Sequence, residues 1–298
     1  MTTLQKDNLI DRLQGMDKMP TIPVVLAPLL RYLEQPVDSL DIQEVVDLIS
    51  KDKSLAAQCL QFANSPLFGR WQNIDSVRGA VLAVGMQRMR DIAVSCSVLK
   101  LTPSGNTYLD PVVFWEHSLG CALLSRRFAH KIGFADPGKA YLAALLHDLG
   151  IIAYLWVAPQ EFAQALNLAR SEHIPLHEAE LRTLGMTHGE SGSIVAEKWR
   201  LSPDLVEVVG CHHAPQNASS SRALVALVSL SDLLCRMSTL GYGYAEEREV
   251  DFMKEPGFEV LLQECPNLRN FDWARLTFEL EGYLDEVHRL VTTLYRSP

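Results

Sequence analysis

Apolar residues recur along this chain at the three- and four-residue spacing of amphipathic helices, and alternating strand-like patterns are nearly absent. Asp110-Pro111 and Asp136-Pro137 each combine an N-cap residue with proline at the first helical position. Ser202-Pro203 repeats this start signal, and Gly133 is a stop signal for the helix that begins after Asp110. The sequence therefore predicts an all-α protein.

The same signals divide the whole chain into helices and loops. The predicted helices cover residues 22–35, Ser39 or Asp41 to Ile49, 54–63, Ser76–Val84, Met86–Leu101, 111–132, 137–157, 159–172, 176–184, 188–199, 203–213, Arg222–Leu240, 257–264 and 271–293. Breaker-rich residues at 102–109 have the composition of a linker. We expect an N-terminal helical lobe at 1–105, packed on a multi-helix bundle at 106–245, and a C-terminal helical extension at 246–298.

The helices Ser76–Val84 and Met86–Leu101 have the outline of a helix-turn-helix, with Gly85 between them. The second helix carries only three cations, and apolar residues dominate the remainder. A duplex-binding helix normally presents a basic face. We therefore interpret this pair as packing within the N-terminal lobe and not as a DNA reader.

The most informative stretch is the apolar run Tyr141–Val157, which contains the adjacent pair His147-Asp148. An ionised carboxylate in such surroundings costs several kcal/mol unless it is paired or bound to a metal. Imidazole and carboxylate are ligands that Zn, Fe and Mn accept. The pair therefore predicts a metal site, provided that other helices supply the remaining ligands.

Other residues of the same chemical type lie on separate predicted helices or at helix ends. The full candidate set is His117, His147, Asp148, His188, His212, His213 and Asp232. The remaining histidines (His130, His173, His177 and His288) are expected at the surface. A metal site needs partners for the outward-facing imidazole N–H groups, and Glu116, Ser118 and Ser231 are candidates. The alternative is an internal hydrogen-bond network that holds no metal.

Composition limits the classes of partner. The 298 residues include 27 Lys and Arg against 36 Asp and Glu, a net charge of −9, which disfavours DNA as a partner. The six cysteines are scattered without a C-x-x-C motif and indicate a reducing compartment. Met1–Asp11 lacks an apolar signal region, and the apolar stretch at 140–157 is too interrupted for a membrane span. We therefore expect a soluble, cytoplasmic protein.

Several segments together carry a family resemblance. They are Met19–Pro23, Asp52–Leu55, Ala63–Ser65, Ala80–Gly85, Phe114–Ser118 and Ala143–Gly150. With these segments the chain resembles an HDOD-domain protein, from a signalling branch of the HD phosphohydrolase superfamily, over roughly residues 15–215. The resemblance implies an all-α bundle and a bacterial regulatory role, usually without catalysis.

The chain also resembles the HD-GYP cyclic-dinucleotide phosphodiesterases, in which all seven candidate residues have counterparts by local context. Two features of those enzymes are missing. Their lysine three residues after the aspartate is replaced by Ile151, and the Gly-Tyr-Pro loop after the double histidine is replaced by a shorter segment, 215–220. Gly241–Gly243 lies in the wrong place to substitute for that loop. Lysine is a natural phosphate partner and isoleucine is not.

Two functions are therefore open. The first is a non-catalytic regulatory module that retains a divalent metal site, whose groove binds a signalling protein or a small phosphorylated ligand. The second is a metal-dependent phosphohydrolase that acts on a cyclic dinucleotide or a nucleotide. In the second case Asp148 would bridge two metals, with His117, His147 and Asp232 on one and the other three histidines on the second. Fe, Mn and Zn all suit such ligands, and the oligomeric state is open.

Overall fold

A computed structural model describes residues 3–15, 28–29, 41–68, 74–103, 105–238, 240–265, 268 and 271–296. These residues form fifteen α-helices and four short 3₁₀ turns, with no strand among them, which confirms the all-α prediction. The predicted helix at 22–35 lies outside the described residues except for Pro28 and Leu29, which are helical. The motif Met19–Pro23 and the candidate cap Ser39 also lie outside them.

The helices are numbered here in chain order. They are α1 (Thr3–Gln14), α2 (Ile42–Ser50), α3 (Lys53–Ala63), α4 (Val77–Val84), α5 (Met86–Val98), α6 (Pro111–Ile132), α7 (Pro137–Leu146), α8 (Leu149–Val157), α9 (Pro159–Glu172), α10 (Leu176–Thr183), α11 (His188–Lys198), α12 (Pro203–Cys211), α13 (Arg222–Met237), α14 (Pro256–Glu264) and α15 (Trp273–Arg296). The 3₁₀ turns cover Pro66–Phe68, Leu99–Leu101, Pro215–Asn217 and Phe252–Lys254.

The chain is divided by its internal contacts into two compact units. The larger comprises Met1–Met19 and Thr102–Glu281, and the smaller comprises Pro20–Leu101 and Gly282–Pro298. This grouping differs from the three predicted segments at 1–105, 106–245 and 246–298. The first helix belongs to the larger unit because α1 contacts α8 and α11. The last division in the sequence, between Glu281 and Gly282, falls within α15.

In the smaller unit, polar side chains define the helix starts. Asp41 accepts a hydrogen bond from Gln43 N at 2.8 Å, and Ser76 accepts one from Gly79 N at 3.2 Å. Gly85, with φ at 90°, separates α4 from α5, as predicted from the sequence. Every residue of α5 from Met89 to Val98 is buried, so this helix packs into its unit, as we expected.

In the larger unit, α6 packs against α7 and α13, and α11 packs between α8 and α12. The N-cap prediction is confirmed for Asp110, which accepts from Val112 N, and for Asp136, which accepts from Lys139 N. Ser202 makes no side-chain cap hydrogen bond to α12. Among the described residues, the stretch Pro137–Val157 alone is long and apolar enough to cross a membrane, but 89% of its apolar window is buried. That burial is typical of a core helix.

Candidate metal centre

The pair His147-Asp148 lies at a break between two helices. The sequence predicted one continuous helix through this stretch, and this detail is wrong: α7 ends at Leu146 and α8 begins at Leu149. Asp148 has φ −94° and ψ 20°, outside helical values, and its carbonyl accepts from Ile151 N at 2.9 Å. Because the pair occupies this turn, its two side chains are not bound to the 100° separation of neighbours in a helix.

Two glycines bring α11 against this turn. A Cβ on Gly150 would lie 1.8 Å from the carbonyl oxygen of His188, and one on Gly192 would lie 2.9 Å from Gly150 N. Backbone can approach this closely only because neither Gly150 nor Gly192 has a Cβ atom. The close approach places His188, at the start of α11, directly beside Asp148.

The other candidate residues lie on α6, α11 and α13 and directly after α12, all in the same unit. His117 lies in the middle of α6 and Asp232 within α13, whereas His212 and His213 follow the last residue of α12. His188 is the first residue of α11, whose start is fixed by a capping box between Thr187 and Glu190. All seven predicted residues therefore meet in one place.

The first group of donor atoms surrounds His117 Nε2. This atom lies 3.3 Å from His147 Nε2, 3.4 Å from Asp148 Oδ2 and 3.3 Å from Asp232 Oδ1. His147 Nε2 lies 3.3 Å from Asp148 Oδ2 and 3.9 Å from Asp232 Oδ1. Two imidazoles and two carboxylates thus converge on a common point.

The second group surrounds the other oxygen of Asp148. Oδ1 lies 3.2 Å from His188 Nε2 and 3.6 Å from His212 Nε2. His188 Nε2 lies 3.2 Å from His212 Nε2 and 2.8 Å from His213 Nε2. Asp148 therefore faces one group with each of its oxygens, which is the arrangement of a carboxylate that can bridge two cations.

The outer ring nitrogens fix the tautomers of these histidines. The Nδ1–H groups of His117, His147 and His212 donate to backbone carbonyls of Leu240, Ala144 and Val209, at 2.7, 2.6 and 2.9 Å. These acceptors are oxygens that cannot donate, so in each neutral ring Nε2 carries a lone pair directed at the centre. Such outward bonds are what metal-binding histidines make.

Glu180 accepts the hydrogen bond from the outer ring nitrogen of His188. One of its carboxylate oxygens accepts from both the backbone N–H and Nδ1–H of His188, each at 2.7 Å, and the side chain is fully buried. Ser118 and Ser231, which the sequence suggested as partners of this kind, bond instead to the carbonyls of Phe114 and Leu227 on their own helices. The prediction for these two serines is wrong.

Lone pairs that face each other at these distances need a cation between them. Within the described residues, Asp148 Oδ1 is a buried oxygen with no hydrogen-bond donor in good geometry. Without a metal, protons on two of the rings supply part of this positive charge. Burial would lower the pKa of His117 and of His188, but nearby carboxylates raise these pKa values to about 9 and about 10. The residues present therefore fit a divalent metal, which can bind several lone pairs at once.

Arg236 balances the charge of Asp232. Its Nε donates to both oxygens of Asp232, at 3.0 and 3.1 Å, and its Nη1 donates to Glu246 at 2.6 and 2.8 Å. Burial opposes ionisation of Asp232, but Arg236 and then His117 hold the pKa of that carboxyl well below its usual value. Asp232 is thus a carboxylate, as a metal ligand must be.

Sequence reasoning missed three neighbours of the centre. Tyr242 Oη donates to Asp148 Oδ2 at 2.5 Å. Cys121 Sγ lies 3.7 Å from His117 Nε2 and belongs by distance to the first group. His177, expected at the surface, stacks on His213 with ring centroids 4.0 Å apart. Cys121 lies one helical turn after His117, but a buried cysteine is more often a small apolar residue than a ligand. No local signal linked Tyr242 to Asp148, which is 94 residues away.

An all-helical bundle with buried histidines and aspartates around a His-Asp pair defines the chain as a protein of the HD type. Within that class the chain belongs to the HDOD domain family, which matches residues 19–215. The expectation drawn from the sequence motifs is confirmed. The fold is therefore related to that of HD phosphohydrolases, and its His/Asp clusters form a candidate metal site.

Known proteins agree with this assignment. The crystal structure of an HDOD domain protein of unknown function from Geobacter sulfurreducens is 28% identical and covers 99% of both chains, with a TM-score of 0.85. A candidate metal-dependent phosphohydrolase from Shewanella amazonensis SB2B is 16% identical over 97% of this chain and 98% of its own, with a TM-score of 0.62. This second likeness shows the fold alone.

A curated relative is longer than this chain. An uncharacterised protein of Treponema pallidum (strain Nichols) is 23% identical over 237 residues, which are 79% of this chain and 45% of the relative. The matched part of this chain therefore covers less than half of the length of that protein.

Proposed function

We propose that this protein is a non-catalytic regulatory HDOD module of bacterial signalling that holds a divalent metal centre of two adjacent sites. The observation that carries the proposal is the convergence of seven imidazole and carboxylate groups in a closed interior. His117, His147 and His188 have no exposed surface, and Asp148, His212 and Asp232 have only 1%. Of the seven, His213 is the most exposed, with 14% of its side chain accessible.

In this proposal two metals share the seven residues. His117, His147, Asp232 and Asp148 Oδ2 would hold one metal, and His188, His212, His213 and Asp148 Oδ1 would hold the other. Bound metals of this kind supply Lewis acidity and an activated water in hydrolases. Here the chain's own residues supply binding and orientation: Glu180 fixes His188, and Arg236 fixes Asp232.

Two features support a regulatory rather than a catalytic role. Ile151, at the position where HD-GYP enzymes carry lysine, is fully buried, so this position offers no cation to a phosphate. The first group is also covered by Tyr242, which is 2% exposed. In this proposal the module acts by binding a signalling protein or a small phosphorylated ligand in the cytoplasm, and its free cysteines fit a reducing compartment.

Metal content is the first test. Protein purified without chelators and without a His-tag is expected to contain close to two equivalents of Fe, Mn or Zn by elemental analysis. Asp148→Asn, which weakens the shared bridge, should lose most of the metal. His288→Ala, an exposed position on α15, is the matched control and should keep it. A wild-type protein that retains no metal would overturn the metal centre.

Activity is the second test. Protein loaded with Mn²⁺ or Fe²⁺ is expected to leave cyclic dinucleotides, nucleotides and simple phosphoesters intact. The alternative function is a metal-dependent phosphohydrolase, which the bridging position of Asp148 between the two groups favours. Hydrolysis at ordinary enzymatic rates, lost in Asp148→Asn and kept in His288→Ala, would establish this alternative.

A further inference from the structure

The segment that follows α13 lies against the first donor group. The carbonyl of Leu240 accepts from His117 Nδ1, and two residues later the ring of Tyr242 packs on the His117 ring, with centroids 4.8 Å apart. Tyr242 Oη lies 2.5 Å from Asp148 Oδ2 and 3.4 Å from His117 Nε2. The phenol oxygen is therefore a fifth polar atom at the point where the four predicted ligands meet.

The separations from His117 Nε2 match those of atoms that share one metal ion. Donors about 2.1 Å from a metal are about 3.0 Å apart at neighbouring corners of an octahedron and about 3.4 Å apart in a tetrahedron. The distances of His117 Nε2 to His147, Asp148, Asp232 and Tyr242 all lie between 3.3 and 3.4 Å. Tyr242 Oη thus has the same spacing from His117 as the histidine and the carboxylates. The shorter distance of 2.5 Å between Tyr242 Oη and Asp148 Oδ2 is that of a phenol that donates its proton to the carboxylate, and a bound metal would replace this proton.

From this geometry we infer that Tyr242 is an internal ligand of the first metal site, where its oxygen takes the position that a water or a substrate oxygen would need. The inference rests on the proposed metal centre and deepens it. It gives a structural reason for a centre that binds metal without turnover, since a nucleophile needs an open coordination position.

The surrounding contacts hold Tyr242 in place. Tyr244 Oη donates to the carbonyl of Ile174 at 3.0 Å, Glu247 N donates to the carbonyl of His173 at 2.8 Å, and Glu246 pairs with Arg236. Gly243 has φ at 80°, a backbone conformation that favours glycine. The phenol is therefore fixed over the site by the bonds on its C-terminal side, as a preorganised ligand must be.

A phenolate bound to ferric iron has a visible charge-transfer absorption that imidazole and carboxylate ligands lack, so iron is the probe. Metal-free protein is loaded anaerobically with Fe²⁺, and each ion is then oxidised by one equivalent of ferricyanide, which is removed. On coordination an iron–oxygen bond forms, and the phenol proton leaves to solvent. Iron content and oxidation state are measured on the same samples.

The wild-type protein is expected to show the visible band, with phenolate vibrations in its resonance Raman spectrum. Tyr242→Phe, which keeps the ring but removes the oxygen, should lose the band at unchanged iron content. Tyr244→Phe, on the same segment but bonded to Ile174, is the matched control and should keep it.

The outcomes separate the two proposals. Ferric protein with full iron content and no band, or a band that survives in Tyr242→Phe, would overturn the assignment of Tyr242 and leave the metal centre intact. Failure of the wild-type protein to bind iron or any other divalent metal would overturn both. A Cys121 thiolate on ferric iron would also absorb in the visible, so the phenolate vibrations of the wild-type protein decide the matter, even if the Phe variant folds poorly.

Discussion

Replacing Gly150 by alanine tests whether the close approach of α8 and α11 assembles the proposed metal centre. The new Cβ would lie 1.8 Å from the His188 carbonyl oxygen, whereas real contacts of this kind stay above 3.0 Å. The backbones must therefore separate by at least 1.2 Å, the difference between these distances. His188 would move with its backbone away from Asp148, now 3.2 Å away.

The expected loss combines two opposing terms. Overpacking of this kind costs about 1–3 kcal/mol and occasionally more, while alanine in a helix gains up to about 1 kcal/mol over glycine. A net loss of roughly 2 kcal/mol lowers Tm by about 4–8 °C for a unit of this size. Ligands need to be placed within about 0.5 Å, so we also expect metal affinity to fall, by the roughly 10–100-fold that lost supporting contacts typically cost.

Thermal unfolding and competition with a metal chelator measure both effects. Gly282→Ala is the matched control, because Gly282 is exposed on α15 and a Cβ there meets nothing within 4 Å. Its Tm should stay the same or rise slightly. Wild-type Tm and wild-type metal affinity in Gly150→Ala would refute the idea that this contact sets the geometry of the centre.

Three further predictions concern supporting residues. Glu180→Gln, which keeps the size but removes the charge that holds His188, should weaken metal binding by roughly 10–100-fold in chelator competition; unchanged affinity would contradict the role given to Glu180. Thr187→Ala removes the cap that accepts from Glu190 N and should cost about 1 kcal/mol in denaturant unfolding, whereas Thr187→Ser should cost less. Hydrogen bonds from the segment 219–221 overcome the effect of burial and lower the pKa of Glu207 from 4.5 to about 2. Its contribution to stability is therefore full above about pH 4.5 and is lost as the pH falls towards 2. The Tm difference between wild type and Glu207→Gln should shrink over that range, and a constant difference would exclude this linkage.

Much of the fold follows from local signals. The caps Asp110 and Asp136, the stop at Gly133 and the boundary at Gly85 act over a few residues, and each is found where the sequence predicted it. The break at His147-Asp148 was not predicted. Its apolar flanks continue the helical pattern without a breaker before Gly150, so the turn depends on the packing of α11 against α8.

The candidate site was predictable in its residue types but not in its surroundings. The cost of burying charge singled out Asp148 and Asp232, the histidines were chosen for their ligand chemistry on separate predicted helices, and the family resemblance gave all seven residues counterparts. The partners that orient them, Glu180 and Arg236, and the covering Tyr242 carry no mark in sequence. Glu180 and Arg236 lie only eight and four residues from their partners His188 and Asp232, but this spacing alone does not tell which residues face a buried site. Tyr242 lies 94 residues from Asp148, so only the tertiary structure brings them together.

The sequence by itself determined the helical class, most helix boundaries and the set of side chains that can bind metal, because these depend on local propensity and on the chemistry of single residues. Tertiary structure alone decided where the chain divides into units, how Asp148 turns one oxygen to each group, and which groups surround the centre. These features depend on contacts between helices that are separated in the sequence. One such contact, between α8 and α11, is possible because Gly150 and Gly192 have no Cβ atom, and no local pattern predicts it.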